Sequence, residues 1–251
     1  MFYDKKILIL SIVIFLPITN EKMSDLKANE NHGKQVIVTD TTKDPIGKRV
    51  AKFEKDGHHC TATMINSKVG ITSSHCSDNN FEDNANGRLY PAESALKTPF
   101  GYMDITLFNP YDNGNKLYDI ALIGGKESNK SSDYKFYGKE FDIAPVKVMG
   151  IRNINDLVGE EVYSFGYPYE KSGYVQYRSE GTITHTDQFN LYSDIPSYPG
   201  QSGSAVFLKK NNQLIGIIHG GVGTRTSIKP ITSEISNWFN DKSNNWLEND
   251  K

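Results

Sequence analysis

From Val36 onward the chain is written in short apolar pieces separated by clusters of Gly, Asn, Asp and Ser. "CTATMI" (60–65), "VGITSS" (69–74), "MDITLF" (103–108), "DIALIG" (119–124), "EEVYSFGY" (160–167), "GTITH" (181–185), "SAVFL" (204–208) and "LIGIIHGG" (214–221) are each four to eight residues long. Pieces of that length suit strands and are too short for packed helices. "KKNNQ" (209–213) reads as a hairpin turn between the last two. Only "ITSEISNWFNDKSNNWL" near the end has helical spacing, with Ile235, Trp238 and Phe239 at i, i+3 and i+4 and Thr232 or Ser233 able to cap it. "GGKESNKSSD" (124–133) is the most linker-like stretch and divides the chain roughly in half. Many short strands in two halves with one terminal helix predict an all-β protein of paired antiparallel barrels or sandwiches.

The first residues are of different material. "MFYDKK" precedes "ILILSIVIFLPI", a charged start followed by a short apolar run. The run is too short to span a bilayer and has the pattern of a secretory signal peptide. An uncleaved anchor is the alternative, because no small-residue cleavage site follows directly. Residues 1–28 are read as signal and leader. The formal charge of −2 gives no electrostatic footprint for nucleic acid. No Lys/Arg block marks a membrane-binding patch either. In an exported chain, Cys60 and Cys76 invite pairing, two free buried thiols being the alternative. A bridge would hold the backbone of the adjacent His75.

"YPGQSGSAVF" (198–207) sets Ser202 between glycines, which serves either a tight turn or the cradle of a reactive hydroxyl. Such a hydroxyl needs a base, and the base needs an orienting group. The candidate bases are His32, His58, His59, His75, His185 and His219. His75 stands at the end of a strand beside Cys76; taken alone, it reads as a packed or surface residue. Asp119 opens the apolar strand "DIALI", where an unpaired charge is costly; taken alone, it reads as a strand cap. The order His75, Asp119, Ser202, in the contexts "SSHC", "DIAL" and "GQSGS", is that of chymotrypsin.

On these motifs, together with "VTDTT" (38–42), "FGYP" (165–168) and "IIHGG" (217–221), the chain resembles the trypsin-like serine proteases. Within them it looks most like bacterial glutamyl endopeptidases and the related staphylococcal exfoliative toxins. The likeness covers about residues 36–240. It implies two six-stranded antiparallel β-barrels with a C-terminal helix, the first over 29–130 carrying His75 and Asp119, the second over 131–251 carrying Ser202. It implies general base, orienter and nucleophile at those three residues, and an oxyanion hole from the amides of Gly200 and Ser202. Ser197 and His219 then stand at the specificity positions, where a hydroxyl and an imidazole can donate to a buried carboxylate.

The implied activity is a secreted, monomeric endopeptidase. It cleaves protein substrates after Glu, with Asp as an extension, and has no stable membrane association once processed. A toxin-like enzyme confined to one host protein and a non-catalytic binding module on the same scaffold are the alternatives. Gln201 cannot form the ion pair by which an aspartate there receives a freed amine, so the processed N-terminus is expected near the specificity pocket instead. Arg225 is either an aid to an acidic substrate or a solvated loop charge. No cofactor is implied: no H-E-x-x-H occurs, and no carboxylate cluster supports the calcium that bacillary relatives often use.

Overall fold

The computed structural model describes residues 33–249; the signal and leader segment expected over 1–28 lies outside the described residues. The strands are β1 (Lys34–Ile37), β2 (Val50–Lys55), β3 (His58–Met64), β4 (Val69–Thr72), β5 (Arg88–Pro91), β6 (Met103–Asp104), β7 (Leu107–Pro110) and β8 (Ala121–Gly124). They continue with β9 (Glu161–Gly166), β10 (Tyr177–Thr186), β11 (Leu191–Ser193), β12 (Ala205–Leu208), β13 (Leu214–Val222) and β14 (Arg225–Pro230). Two short helices, α1 (Ser132–Tyr137) and α2 (Glu140–Ile143), lie between β8 and β9, and α3 (Ser233–Asn249) ends the described chain.

The strands form two antiparallel sheets. In the second, the order is β1-β10-β11-β14-β13-β12-β9, and β9 also pairs with β10, so six strands close into a barrel. β12 is buried throughout because it lies between β9 and β13, and "AVFL" accordingly has no polar face. In the first sheet, the order is β6-β5-β2-β3-β4-β8-β7, and the ladder stays open. The closed six-stranded barrel expected there is thus a curled half-barrel. The reason lies in "MDITLF", expected as one strand. Met103 pairs with Leu89, whereas Leu107 pairs with Gly124 on the opposite edge. Ile105 and Thr106 turn the corner, donating to Gly87 and Gly124 carbonyls at 2.9 and 2.8 Å. Edges joined by two residues can only be close, so the sheet curls.

Two further differences bear on the site. β1, assigned by sequence to the first half, pairs with Tyr177–Glu180 on the edge of β10 that β11 leaves free. Helical structure also begins within the linker-like stretch, where Ser131 caps α1 by accepting the Tyr134 N–H. The halves meet through a shared core that includes Val50, Ile71, Leu122, Phe165, Phe207 and Ile217. α3 closes it with Ile235 and Phe239, both about fully buried, each side chain being worth roughly 1.5–3 kcal/mol. Thr232 caps that helix through the Ile235 N–H at 3.4 Å.

Candidate active site

Ser202 sits in the loop that leads into β12. Gly200 and Gly203 have φ of 94° and 87°, a region open to glycine. Space demands glycine as well. A Cβ at 203 would stand 2.1 Å from the Thr61 carbonyl oxygen, and one at 200 would stand 2.4 Å from that of Tyr167. This close approach clamps the loop onto β3, where the Thr61 N–H donates to the Ser202 carbonyl at 2.8 Å and Thr61 Oγ1 to that of Gly200 at 2.9 Å. The N–H groups of Gly200 and Ser202 find no protein acceptor among the described residues. They are two donors available beside the Ser202 hydroxyl.

His75 lies in a single helical turn, Ser74–Ser77, directly after β4. The next residue, Cys76, is disulfide-bonded to Cys60 of β3. Asp119 stands two residues before β8 and is 1% exposed. Its φ of 44° is a conformation that carbon-branched residues avoid and Asp tolerates. Its carboxylate is surrounded by donors. Oδ1 accepts from the His75 N–H and Ser74 Oγ, both at 2.8 Å, and Oδ2 accepts from His75 Nδ1 at 2.7 Å. Oδ2 also accepts from Nδ1 of His219. Burial pushes this carboxyl up, yet the hydrogen bonds from His219 and His75 outweigh it and hold it well below the ordinary carboxylate range.

With the Nδ1 proton committed to Asp119, Nε2 of His75 is the free acceptor. His75 and Ser202 line the same cleft, of about 330 Å³, with Gly200 and the disulfide. Among the described residues no hydrogen bond joins them; Ser202 Oγ lies 3.4 Å from the His219 carbonyl oxygen. Such contacts are often long before substrate is bound. One donor atom each from His75, Asp119 and His219 falls within 4.8 Å of the others, a spacing that could hold a metal. Both imidazoles spend their Nδ1 protons on the carboxylate instead, so the trio is a hydrogen-bonded group.

The arrangement of buried acid, oriented imidazole and glycine-flanked serine matches the outcome of comparison with known proteins. The model of the trypsin-like peptidase domain matches residues 57–217, more than half of the chain. The chain belongs to the trypsin-like peptidase family. Among curated proteins it is similar to the glutamyl endopeptidase of Bacillus licheniformis, with 25% identity over 225 residues. That match takes in 81% of this chain and 66% of the relative's length. Among solved structures it is similar to a Glu endopeptidase, with a TM-score of 0.66 and 24% identity over 83% of this chain and 95% of the other. It is also similar in fold to protease Anisep from Arthrobacter nicotinovorans, with a TM-score of 0.59 and 18% identity over 83% and 98% of the two chains.

Within this trypsin-like frame, the two specificity candidates are not placed as the sequence led us to expect. β13 carries a bulge against β14: Ile218 pairs with Ile228 and Gly220 with Ser227, which leaves His219 without a partner in the ladder. The bulge turns the imidazole onto Asp119, so its Nδ1 proton is not offered to a substrate carboxylate. Ser197 is buried, and its Oγ lies 2.6 Å from Thr226 Oγ1, which in turn donates to the Ile195 carbonyl. Its proton is therefore taken up by Thr226. Gly221 faces it so closely that a Cβ would stand 2.2 Å from Ser197 Oγ. The pair expected to share a pocket is thus divided between the two faces of β13.

Of the other histidines, His32 lies outside the described residues. His58 and His59 line the cleft with Ser202. His59 stacks on Tyr169 with ring centroids 3.8 Å apart and reaches the Tyr167 carbonyl at 2.9 Å, and burial lowers its pKa. Sequence reasoning missed this role, although its position next to Cys60 was a signal. It also missed Gln35, whose Nε2 reaches Gln201 Oε1 at 3.2 Å, Ser179 Oγ at 2.8 Å and the Pro196 carbonyl at 3.2 Å. Nothing local to β1 announces that contact.

Proposed function

We propose that the chain is a serine endopeptidase working through an acyl-enzyme on Ser202. Ser202 Oγ attacks the scissile carbonyl while His75 Nε2 takes its proton, and the N–H groups of Gly200 and Ser202 receive the oxyanion. His75 then returns the proton to the departing amine. Water, deprotonated by the same nitrogen, attacks the ester and releases the acid, restoring the serine. Asp119 keeps the imidazole in the tautomer with its proton on Nδ1. The observation that carries this reading is the 2.7 Å contact of His75 Nδ1 with a buried Asp119, in a chain whose His75 and Ser202 line one cleft.

Acidic substrates are part of the proposal, supported by likeness to a protein named glutamyl endopeptidase. Ser197 does not supply that preference, since its proton is used within the protein, and His219 can offer only Nε2, because its Nδ1 is held by Asp119. Export is proposed as well; the Cys60–Cys76 bridge suits an oxidising compartment.

A fluorophosphonate tests the chemistry: it should label the protein and fail to label Ser202→Ala. Failure to label the unaltered chain would return it to a binding role on a protease scaffold. Peptides differing only in the residue that supplies the scissile carbonyl, Glu, Asp, Lys or Phe, test the preference, and faster cleavage after Lys or Phe would sink it. A single cut in one protein with negligible turnover of every short peptide would identify the toxin-like alternative. N-terminal sequencing of exported material tests secretion.

A further inference from the structure

A second cleft, of about 360 Å³, opens on the other side of His219 from Ser202's own cleft; its lining includes His185, Tyr192, His219, Gly220, Arg225 and Ser227. Its lining carries three groups able to bear positive charge, several hydroxyls and no carboxylate. Arg225 is exposed, and its side chain has no ion pair or hydrogen bond among the described residues. The His185 ring lies flat on Tyr192, with centroids 4.3 Å apart and planes within 7°. Its Nδ1 is engaged by Thr184 Oγ1 at 3.1 Å, which leaves Nε2 for a ligand. Two acids touch the lining from outside it: Asp119 is spent on His75 and His219, and Asp187 borders Tyr192. Asp187 is spent on the Tyr192 hydroxyl at 2.7 Å and on the Phe189 and Asn190 N–H groups at 2.8 Å. A Cβ at Gly220 would meet nothing within 4 Å, so the way in is open.

The cleft borders the β13 segment that flanks the catalytic loop. Beyond Ile217, β13 no longer pairs with β12. Its Gly220–Val222 stretch runs from beside Ser202 toward Arg225, with Val222 opposite Arg225 in the ladder. Ser197 faces one side of this stretch through Gly221, and the cleft lies on the other. A peptide laid along such an edge alternates its side chains between the two faces. When the residue supplying the scissile carbonyl points toward Ser197, a residue before it points into the cleft.

We propose that this cleft is a subsite for an acidic side chain, Asp or Glu, one to three residues before the scissile bond, received by Arg225 and His185. The subsite rests on the endopeptidase reading above and moves acid recognition from the primary pocket to the neighbouring face. A guanidinium meeting a carboxylate in a half-open cleft should favour the acid over its amide by about five- to tenfold.

The test uses peptides with a fixed residue at the scissile position and Glu, Gln or Lys placed in turn at three positions on either side. The Glu:Gln ratio of kcat/KM should reach about five to ten at a preceding position only. It should fall to about one in the Arg225→Gln, His185→Gln double variant, because removing the charges leaves two neutral polar groups. Arg225→Glu should favour Lys at the same position. No preference at preceding positions, or a Glu preference that survives in Arg225→Glu, overturns the subsite while leaving the endopeptidase intact. If no peptide is cleaved, the same peptides are bound to Ser202→Ala protein. Equal affinity for the Glu and Lys forms then overturns the subsite separately from the chemistry.

Discussion

Asp119 Oδ2 serves two imidazoles at once, His75 Nδ1 at 2.7 Å and His219 Nδ1 from the bulge in β13. Each donor stabilises the same charge, and a hydrogen bond to a charged group is worth about 1.5–3 kcal/mol. His219 is therefore a positioning residue for the pair.

His219→Val should lower kcat by about tenfold or more with little change in KM, whereas His219→Ser, which keeps a donor, should stay much closer to the parent. Asp119→Asn should cost about 10⁴-fold by admitting the wrong tautomer of His75. Steady-state kinetics on one peptide decide both, and a valine variant as active as the serine one would make the second imidazole idle.

Gln35 bridges β1 to the loop before the nucleophile. Gln201 is fully buried, and its Oε1 accepts from Gln35 Nε2 at 3.2 Å and from the Tyr198 N–H at 3.1 Å. Gln35→Ala should reduce kcat several-fold and stability by about 1 kcal/mol. Gln201→Asp should not compensate, since neither partner is a cation and an unmatched buried charge is costly. Urea unfolding and peptide turnover measure the two effects; a Gln201→Asp variant with full activity would contradict the neutral contact.

The Cys60–Cys76 bridge closes a loop of fifteen residues. Replacing both cysteines by alanine should cost about 3 kcal/mol in the chain-entropy account. Because Cys76 follows His75, turnover should drop at temperatures where the variant remains folded. Urea unfolding, with kinetics well below the midpoint, separates the two losses. Unchanged turnover would mean that the hydrogen bonds to Asp119 suffice to place the imidazole.

Glu180 of β10 ties β1 to the barrel through Lys34 at 3.3 Å, and also pairs with Arg178 at 2.8 Å and Lys209 at 3.4 Å. Burial raises its pKa, but hydrogen bonds from Arg178 and Lys34 prevail and bring it down to about 2. A carboxyl depressed on folding contributes stability that is complete above its unfolded pKa, about 4.3, and is lost as pH falls toward the folded value. Asp119 acts with the same sign. Stability should therefore decline from about pH 4.5 to pH 2, and Glu180→Gln should make that decline shallower while lowering stability at neutral pH. Thermal unfolding across this range checks the slope.

Much of the fold was legible locally. Runs such as "SAVFL" and "LIGIIHGG" became β12 and β13, and the spacing of Ile235, Trp238 and Phe239 became the core-facing side of α3, with Trp238 half-buried. His75, Asp119 and Ser202 could be named from their order and short contexts through the resemblance to trypsin-like proteases, although each taken alone also reads as a surface residue, a strand cap or a turn. Where "MDITLF" bends, which sheet takes β1, and what Gln35 touches depend on partners far along the chain.

His219 marks the boundary most clearly. The sequence determined that an imidazole follows the apolar run of β13, and that glycines leave space around it. Only the tertiary structure decided which way it faces, because a one-residue bulge reverses the alternation that would otherwise assign its side. That reversal sends Nδ1 of the ring to Asp119, at the wall of the cleft that His185 and Arg225 also line. Such a choice is set by the pairing of whole strands, and no short stretch of residues encodes it.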